Sequence, residues 1–216
     1  MHLECLTPAA RTVLKVLAPV VAAHRFVLAG GTAVALSLGH RLSVDFDFFT
    51  ERSFMPAKVL QAVNGIGLTA TVLQEEPGTL TVSVDGVKVS FFHYPYPFLD
   101  ATSTLSGVPV AGLIDIASMK IIAMIQRGAK RDYVDLYFIL RDIPFAKVAE
   151  NMIARYGVDR VNPIVIGKAL VFFQDADLDP DPEYLAKPKD WIAIKKYIVN
   201  HIQQFVLDIH KARKRD

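Results

Sequence analysis

Two aspartates one residue apart, Asp45 and Asp47 in the stretch V-D-F-D-F, are the first residues in this chain whose types and spacing suggest chemistry. Alternate side chains of a β-strand point to opposite faces, so both carboxylates are expected on one face and Val44, Phe46 and Phe48 on the other. Two adjacent anions on a half-buried strand repel each other and lose hydration unless a cation joins them. Mg²⁺, which takes carboxylate and phosphate oxygens together, is the expected cation.

A pair of glycines before these aspartates is suited to a phosphate. Gly30 and Gly31 follow the apolar run FVLA, and Thr32 begins the helical stretch TAVALSLG. At a strand-to-helix turn, glycines let backbone N–H groups approach a phosphate at the helix N-terminus, and Thr32 can cap the helix or donate to an anion. Each feature alone is common. Their combination, in the order strand, GG, helix, strand with D-x-D, is much more specific.

The elements that must position these residues are predicted from hydrophobic periodicity. In the first half, helices are expected at LTPAARTVLKVLAPVVAAH, with Thr7 as N-cap and Pro8 at the first helical position, and at TAVALSLG and MPAKVLQAVNGIG. Strands are expected at FVLA, SVDFDFF, LTATVLQ, TLTVSVD and VKVSFFHY, with a hairpin turn at Asp85-Gly86.

The second half has a different character. After the proline-broken YPYPFL, the pattern predicts helices at GLIDIASMKIIAMIQRG, RDYVDLYFILRD, PFAKVAENMIARYG, VNPIVIGKALVFFQ and PKDWIAIKKYIVNHIQQFVLDIHKARKR, with the acidic surface loop DADLDPDPEYLAKP before the last. The whole chain is therefore expected to be α+β. A small mixed β-sheet core with flanking helices occupies residues 1–110, and a C-terminal helical bundle, residues 111–216, completes a cleft.

Composition excludes several classes of protein. No uncharged apolar run reaches the roughly 18 residues that a membrane helix needs, so no membrane association is expected and the N-terminal apolar stretch is interpreted as a helix of the mature protein. Cys5 is the only cysteine, which excludes an internal disulfide and a thiolate zinc cluster and favours a reducing cytoplasm. The basic tail HKARKRD fits either nucleic-acid contact or a solvated helix end.

The motifs also resemble a known family. A hydrophobic residue and Gly-Gly, followed after thirteen residues by Asp-hydrophobic-Asp, is similar to the signature of the DNA polymerase beta-like nucleotidyltransferase superfamily. The stretches LAGGTAVALSLGHRLSVDFDFF and DIASMKIIAMIQRGAKRDYVDLYFIL resemble the AbiEii/AbiGii toxin family of nucleotidyltransferases, over about residues 20–142. The resemblance implies transfer of a nucleoside monophosphate from an NTP to RNA such as tRNA, or to protein. It also implies the role of toxin in a toxin–antitoxin or abortive-infection system, with a cognate antitoxin as partner.

The resemblance implies roles for single residues in the first half. Asp45 and Asp47 would hold Mg²⁺ against the triphosphate. Gly30, Gly31 and Thr32 would line the phosphates.

Four further positions match the family's motifs. Arg41 and Ser43 would brace the strand or touch phosphate. Lys120 would pair with phosphate across the cleft, and Asp135 would act as a base or orient Lys120.

Helical geometry supports Lys120 independently. At 100° per residue, Lys120, Met124 and Arg127 are expected on one stripe of a helix, facing the acidic strand. The alternative is that Lys120 pairs with a carboxylate or extends to solvent. For Asp135 the alternative is ordinary surface pairing, which the nearby Arg131 and Asp132 suggest.

One departure from the superfamily concerns a third carboxylate, which many members carry on a later strand. The matching strand, VKVSFFHY, has no acid, and Ser90 stands at that place. The missing acid argues against a two-metal site and leaves Asp135 as the replacement candidate. The competing hypothesis is a nucleotide- or protein-binding module that kept the fold and lost the chemistry.

Overall fold

The computed structural model describes residues 1–185, 187 and 189–214. The chain forms two compact units, one of Met1–Pro97 with Ala101–Ala111 and the other of Phe98–Asp100 with Gly112–Asp216. The assignment of a nucleotidyltransferase core to residues 1–110 and of a cleft-completing role to residues 111–216 stays a prediction.

A mixed sheet forms the centre of the first unit. Its strands are β1 Val27–Ala29, β2 Phe46–Thr50, β3 Ala70–Glu76, β4 Thr79–Val84, β5 Val87–His93, β6 Ser103–Leu105 and β7 Val108–Val110. They lie in the order β3-β4-β5-β2-β1-β7-β6, with β2 central. The β2–β5 and β1–β7 pairs are parallel, whereas the remaining neighbours are antiparallel. The predicted α+β class with a small mixed sheet is confirmed.

Three helices belong to the first unit, and the sequence supplies a cap at one end of two of them. They are α1 Pro8–Ala23, α2 Gly30–Leu38 and α3 Pro56–Gly65, and a 3₁₀ turn covers Leu3–Cys5. The predicted N-cap of α1 is confirmed, because Thr7 Oγ1 accepts a hydrogen bond of 3.2 Å from the Ala10 amide. Gly39 ends α2 in the left-handed region, with a φ of 63°.

Among the tight turns of the sheet, one is predicted from the sequence and another is not. Asp85 and Gly86 have φ values of 50° and 78°, which confirms the expected hairpin between β4 and β5. Ser106 and Gly107, at 52° and 84°, form a similar turn between β6 and β7. The sequence analysis missed this second hairpin because strands of three residues are too short to show a period of two.

The acidic strand is shorter than predicted. β2 begins at Phe46 rather than Ser43, because its pairing with β5 begins with Phe46 opposite Val89. Phe46 and Phe48 are buried as expected, but Val44 is 46% exposed. The expectation that Val44 shares their buried face is therefore wrong.

The second unit is helical, as predicted. Its helices are α4 Leu113–Met124, α5 Lys130–Leu140, α6 Phe145–Tyr156, α7 Pro163–Leu170, α8 Gln174–Leu178 and α9 Trp191–Arg213. The short α8 falls at the start of the predicted acidic loop. Ala186 and Pro188 of that loop, and Arg215 and Asp216 of the basic tail, lie outside the described residues. Along the described ranges, no helix is both long and apolar enough to cross a membrane.

Each unit has its own apolar core. In the first, Phe48 stacks on Phe91 with ring centroids 5.4 Å apart. In the second, the single tryptophan, Trp191, lies edge-on to Tyr133 at 5.7 Å, and its indole N–H donates a 2.6 Å hydrogen bond to Asp177.

Candidate functional site

The two aspartates lie at the start of the central strand. Asp47 is the second residue of β2 and lies opposite Ala29 of β1 and Ser90 of β5. Asp45 precedes the strand by one residue. Both are half-buried and alternate with the buried Phe46, so the burial pattern agrees with two carboxylates on one partly open face.

The backbone of Gly30 packs directly against Asp47. Gly30 is the first residue of α2 and has a φ of 68°, a conformation that favours glycine. A Cβ added there would lie 2.8 Å from Asp47 Oδ2, too close for any side chain. The N-terminus of α2 therefore lies against a carboxylate, and the positive end of the helix dipole stabilises that anion.

The same helix end offers backbone donors. The first N–H groups of a helix, here those of Gly30, Gly31 and Thr32, have no partner inside the helix. The N-cap residue is Ala29, whose side chain makes no capping hydrogen bond. A helix start of this kind can bind a phosphate beside the two carboxylates.

The Thr32 and Ser43 hydroxyls contact each other. Thr32 is 2% exposed, and its Oγ1 lies 2.7 Å from Ser43 Oγ. Thr32 Oγ1 also donates to the backbone carbonyl of Asp45. The structure thus brings together three of the predicted site residues, although the contact of Thr32 and Ser43 with phosphate stays a prediction.

Arg41 is buried beneath the segment that leads to β2. Its Nη1 donates a 2.9 Å hydrogen bond to the carbonyl of Leu42. Of its two predicted roles, the geometry supports bracing of the segment, and phosphate contact stays a prediction.

The position of the missing acid is occupied by a hydroxyl. Ser90 lies beside Asp47 on β5, is buried, and accepts a 3.2 Å hydrogen bond from Thr81. Within the described ranges, no group of three or more His, Cys, Asp or Glu side chains is arranged to hold a metal. Two carboxylates still fit Mg²⁺, which is commonly bound by one or two carboxylates together with substrate phosphates and water.

In the second unit, Lys120 lies between two carboxylates. It is 6% exposed, and its Nζ lies 2.8 Å from Asp132 Oδ1 and 2.7 Å from Asp135 Oδ2. Burial lowers the pKa of Lys120, but the attraction of Asp135 and Asp132 outweighs it, so the pKa is raised overall. Lys120 and Asp135, which the sequence analysis linked, are thus brought together.

Asp132 is the residue of this cluster that the sequence analysis missed. The alternative of ordinary surface pairing is wrong, because Asp132 and Asp135 are buried against Lys120. The spacing contained the signal, since Asp132 and Asp135 are three apart and share one face of α5. The expected stripe through Arg127 is also wrong: α4 ends at Met124, and Arg127 lies beyond it, exposed.

The sequence matches a known protein family and a related protein. The model of the family described as "Nucleotidyl transferase AbiEii toxin, Type IV TA system" matches residues 12–204. An uncharacterised protein of Aquifex aeolicus (strain VF5) is 35% identical over 188 residues, which cover 81% of this chain and 89% of that protein.

Two of the solved structures with a similar fold are from bacteria. MenT4, described as a nucleotidyltransferase toxin of Mycobacterium tuberculosis H37Rv, matches with a TM-score of 0.59 at 16% identity, covering 95% of this chain and 89% of that one. JHP933 from Helicobacter pylori matches with a TM-score of 0.57 at 16% identity and 95% coverage of both chains. At such identities the likeness concerns the fold alone.

Proposed function

The chain belongs to the AbiEii family of nucleotidyltransferase toxins, and from this premise we propose that it transfers a nucleoside monophosphate from an NTP to an acceptor, releasing pyrophosphate. The family resemblance drawn from the GG and D-x-D motifs is confirmed, and the match extends over residues 12–204. We propose RNA, such as tRNA, or a protein as acceptor. The proposed setting is the cytoplasm, as the toxin of a toxin–antitoxin or abortive-infection system with a cognate antitoxin.

One observation carries this proposal: the N-terminus of α2 meets the D-x-D pair. A Cβ on Gly30 would come within 2.8 Å of Asp47 Oδ2, so backbone N–H groups suited to a phosphate lie beside a carboxylate suited to a metal, which supports the proposal. A triphosphate with its metal needs both kinds of group together.

The residues present fit Mg²⁺, and Asp45 and Asp47 are its proposed ligands. When bound, Mg²⁺ neutralises charge on the triphosphate as the phosphoryl bond breaks. The amides of Gly30 and Gly31 are proposed to donate to phosphate oxygens. Because these donors belong to a helix terminus, they stay oriented without side-chain ordering.

The geometry of Asp135 favours one of its two predicted roles. Asp135 is fully buried and bound to Lys120, so it is better placed to orient that lysine than to take a proton from an acceptor. Lysine has three N–H donors, and two of those on Lys120 face Asp132 and Asp135. The contact of Lys120 with phosphate stays a prediction.

The test is label transfer from each NTP in turn to total RNA, in the presence of Mg²⁺. Wild type is expected to transfer label, and Asp45→Asn and Asp47→Asn to abolish transfer. They should also abolish the joint rise in Tm that Mg²⁺ and NTP produce. The matched control is Asp85→Asn, because Asp85 lies in a hairpin turn where asparagine also tolerates a positive φ. Undiminished transfer by the Asp47 variant would contradict the proposal.

A second candidate is a binding module without chemistry, which the hydroxyl of Ser90 beside Asp47 favours. This candidate predicts Mg²⁺-dependent NTP binding with no transfer to any RNA or protein acceptor. Transfer by wild type that is lost in the aspartate variants would exclude it.

A further inference from the structure

Asp45 lies just before the part of β2 that pairs with neighbouring strands. The pairing of β2 begins at Phe46 on the β5 side and at Asp47 on the β1 side, so Asp45 precedes both ladders. Asp47, by contrast, lies within both pairings. The two proposed metal ligands are therefore positioned by different means.

Two hydrogen bonds join the backbone of Ser43 and of Asp45 to other elements. The amide of Ser43 donates a 3.1 Å hydrogen bond to the carbonyl of Cys5. The hydroxyl of Thr32, on the first turn of α2, donates to the carbonyl of Asp45 itself. The second contact joins Asp45 to the same helix end that packs against Asp47 through Gly30.

The direction of the hydroxyl protons follows from this geometry. A carbonyl oxygen can only accept, so the single proton of Thr32 goes to Asp45. In the 2.7 Å contact between Thr32 and Ser43, the donor is then Ser43. Both protons are used within the protein, and neither is left for a phosphate while this chain of hydrogen bonds persists.

We propose that Thr32 and Ser43 are positioning residues, which hold the Asp45 backbone so that its carboxylate and that of Asp47 can bind one divalent cation. This inference rests on the proposed function and changes the expected role of both hydroxyls. They set metal affinity through Asp45 and do not bind the nucleotide directly.

The experiment measures Mn²⁺ binding by electron paramagnetic resonance, with and without NTP, and NTP binding in EDTA. Thr32→Val keeps the shape of this buried side chain and removes the hydroxyl. We expect it to weaken Mn²⁺ binding by about 10–100-fold, the usual effect of losing a group that orients a ligand, with NTP binding in EDTA unchanged. Thr32→Ser, which restores the hydroxyl, is expected to bring Mn²⁺ affinity back to within about threefold of wild type.

The matched control is Thr50→Val. Thr50 is also buried on β2 and donates a 3.3 Å hydrogen bond to the carbonyl of His24, but it lies at the far end of the strand. It is expected to lower Tm and leave Mn²⁺ affinity unchanged. Should Thr32→Val fail to fold, Ser43→Ala replaces it, because Ser43 is only half-buried. Its expected loss in Mn²⁺ affinity is about 3–10-fold.

The outcomes separate the two proposals. Unchanged Mn²⁺ affinity in Thr32→Val, or no recovery in Thr32→Ser, overturns the positioning role while the metal site stands. Weaker NTP binding in EDTA also overturns it, since the hydroxyl would then contact the nucleotide. No Mn²⁺ binding by wild type with NTP present overturns the proposed metal site itself, and the positioning role with it.

Discussion

At the scale of single residues, the ammonium group of Lys120 lies between two buried carboxylates, those of Asp132 and Asp135. With all three groups ionised, Lys120, Asp132 and Asp135 carry a net charge of −1, so the lysine offsets repulsion between its partners. Lys120 is only 6% exposed, so it contributes to the packed interior of the second unit.

Replacement of Lys120 is therefore expected to destabilise the protein. Lys120→Met leaves two buried carboxylates without their cation, and the free energy of unfolding should fall by about 3–5 kcal/mol. Lys120→Met with Asp132→Asn should recover part of the loss, because one uncompensated charge is removed. Urea denaturation measures both, with the exposed Lys147→Met as the control, expected within about 0.5 kcal/mol of wild type. A loss in Lys120→Met as small as that of the control would contradict the buried ion pairs.

The same variant gives the pH dependence of this stabilisation. The pKa of Lys120 is raised in the folded state, so its contribution is fully present below the unfolded lysine value of about 10.4 and is lost as pH rises through the higher folded value. From neutral pH upwards, the difference in the free energy of unfolding between wild type and Lys120→Met should thus persist to about pH 10 and shrink above it. A difference that shrinks already at neutral pH would contradict the raised pKa.

At the scale of elements, the N-terminus of α4 is capped by a side chain from outside the helix, that of Asp100. Its N-cap is Gly112, and Asp100 Oδ2 accepts a 3.1 Å hydrogen bond from the Ile114 amide at this helix end. A Cβ on Gly112 would lie 2.1 Å from the same oxygen. Glycine is required here by the cap that packs over it.

Gly112→Ala is expected to displace Asp100 and unfold the first turn of α4. Overpacking should lower the free energy of unfolding by about 1–3 kcal/mol, and the lost cap by about 1 kcal/mol more. Gly65→Ala is the control, because Gly65 ends α3 with open space around it, and there alanine should be neutral or slightly stabilising. Equal stability of the two variants in urea denaturation would contradict the role of Asp100.

The elements that the sequence predicts are those whose signals are local. Thr7 and Pro8 start α1, Gly39 ends α2, and Asp85-Gly86 turns the hairpin, because each acts within a few residues. Periodicity likewise predicts the five long helices of the second unit.

The candidate site is predictable only in part, for the same reason. The order of GG and D-x-D places Gly30 and Asp47 on neighbouring elements, and the structure brings them into contact. The hydroxyl contact between Thr32 and Ser43, and the burial of Asp132 against Lys120, join residues on different elements. Their meeting depends on tertiary packing, which hydrophobic periodicity does not record.

At the scale of the whole molecule, the two units each have their own core, and each contains one unique side chain. Cys5, the only cysteine, is buried in the first unit. Burial raises the pKa of its thiol to about 11. Trp191, the only tryptophan, belongs to the second unit. The unfolding of each unit can thus be measured separately, through Cys5 for the first and Trp191 for the second.

We expect the units to unfold at different urea concentrations, as is common for chains with more than one core. At about pH 8, folded Cys5 should resist a thiol reagent, because the thiolate is the nucleophile and its pKa is raised; it should react once the first unit opens. Trp191 fluorescence reports the second unit. Coincident midpoints for the two signals would show a single cooperative transition instead.

The short segment Phe98–Asp100 has a consequence for any attempt to divide this protein. It belongs to the helical unit, whereas β6 and β7, which follow it, return to the sheet of the first. A fragment that ends near residue 97 removes two strands from the sheet, and one that begins at Gly112 removes the side chain that caps α4. No single cut in the gene gives both units whole: residues 1–111 contain all of the first unit and residues 98–216 all of the second, so the two fragments have to overlap.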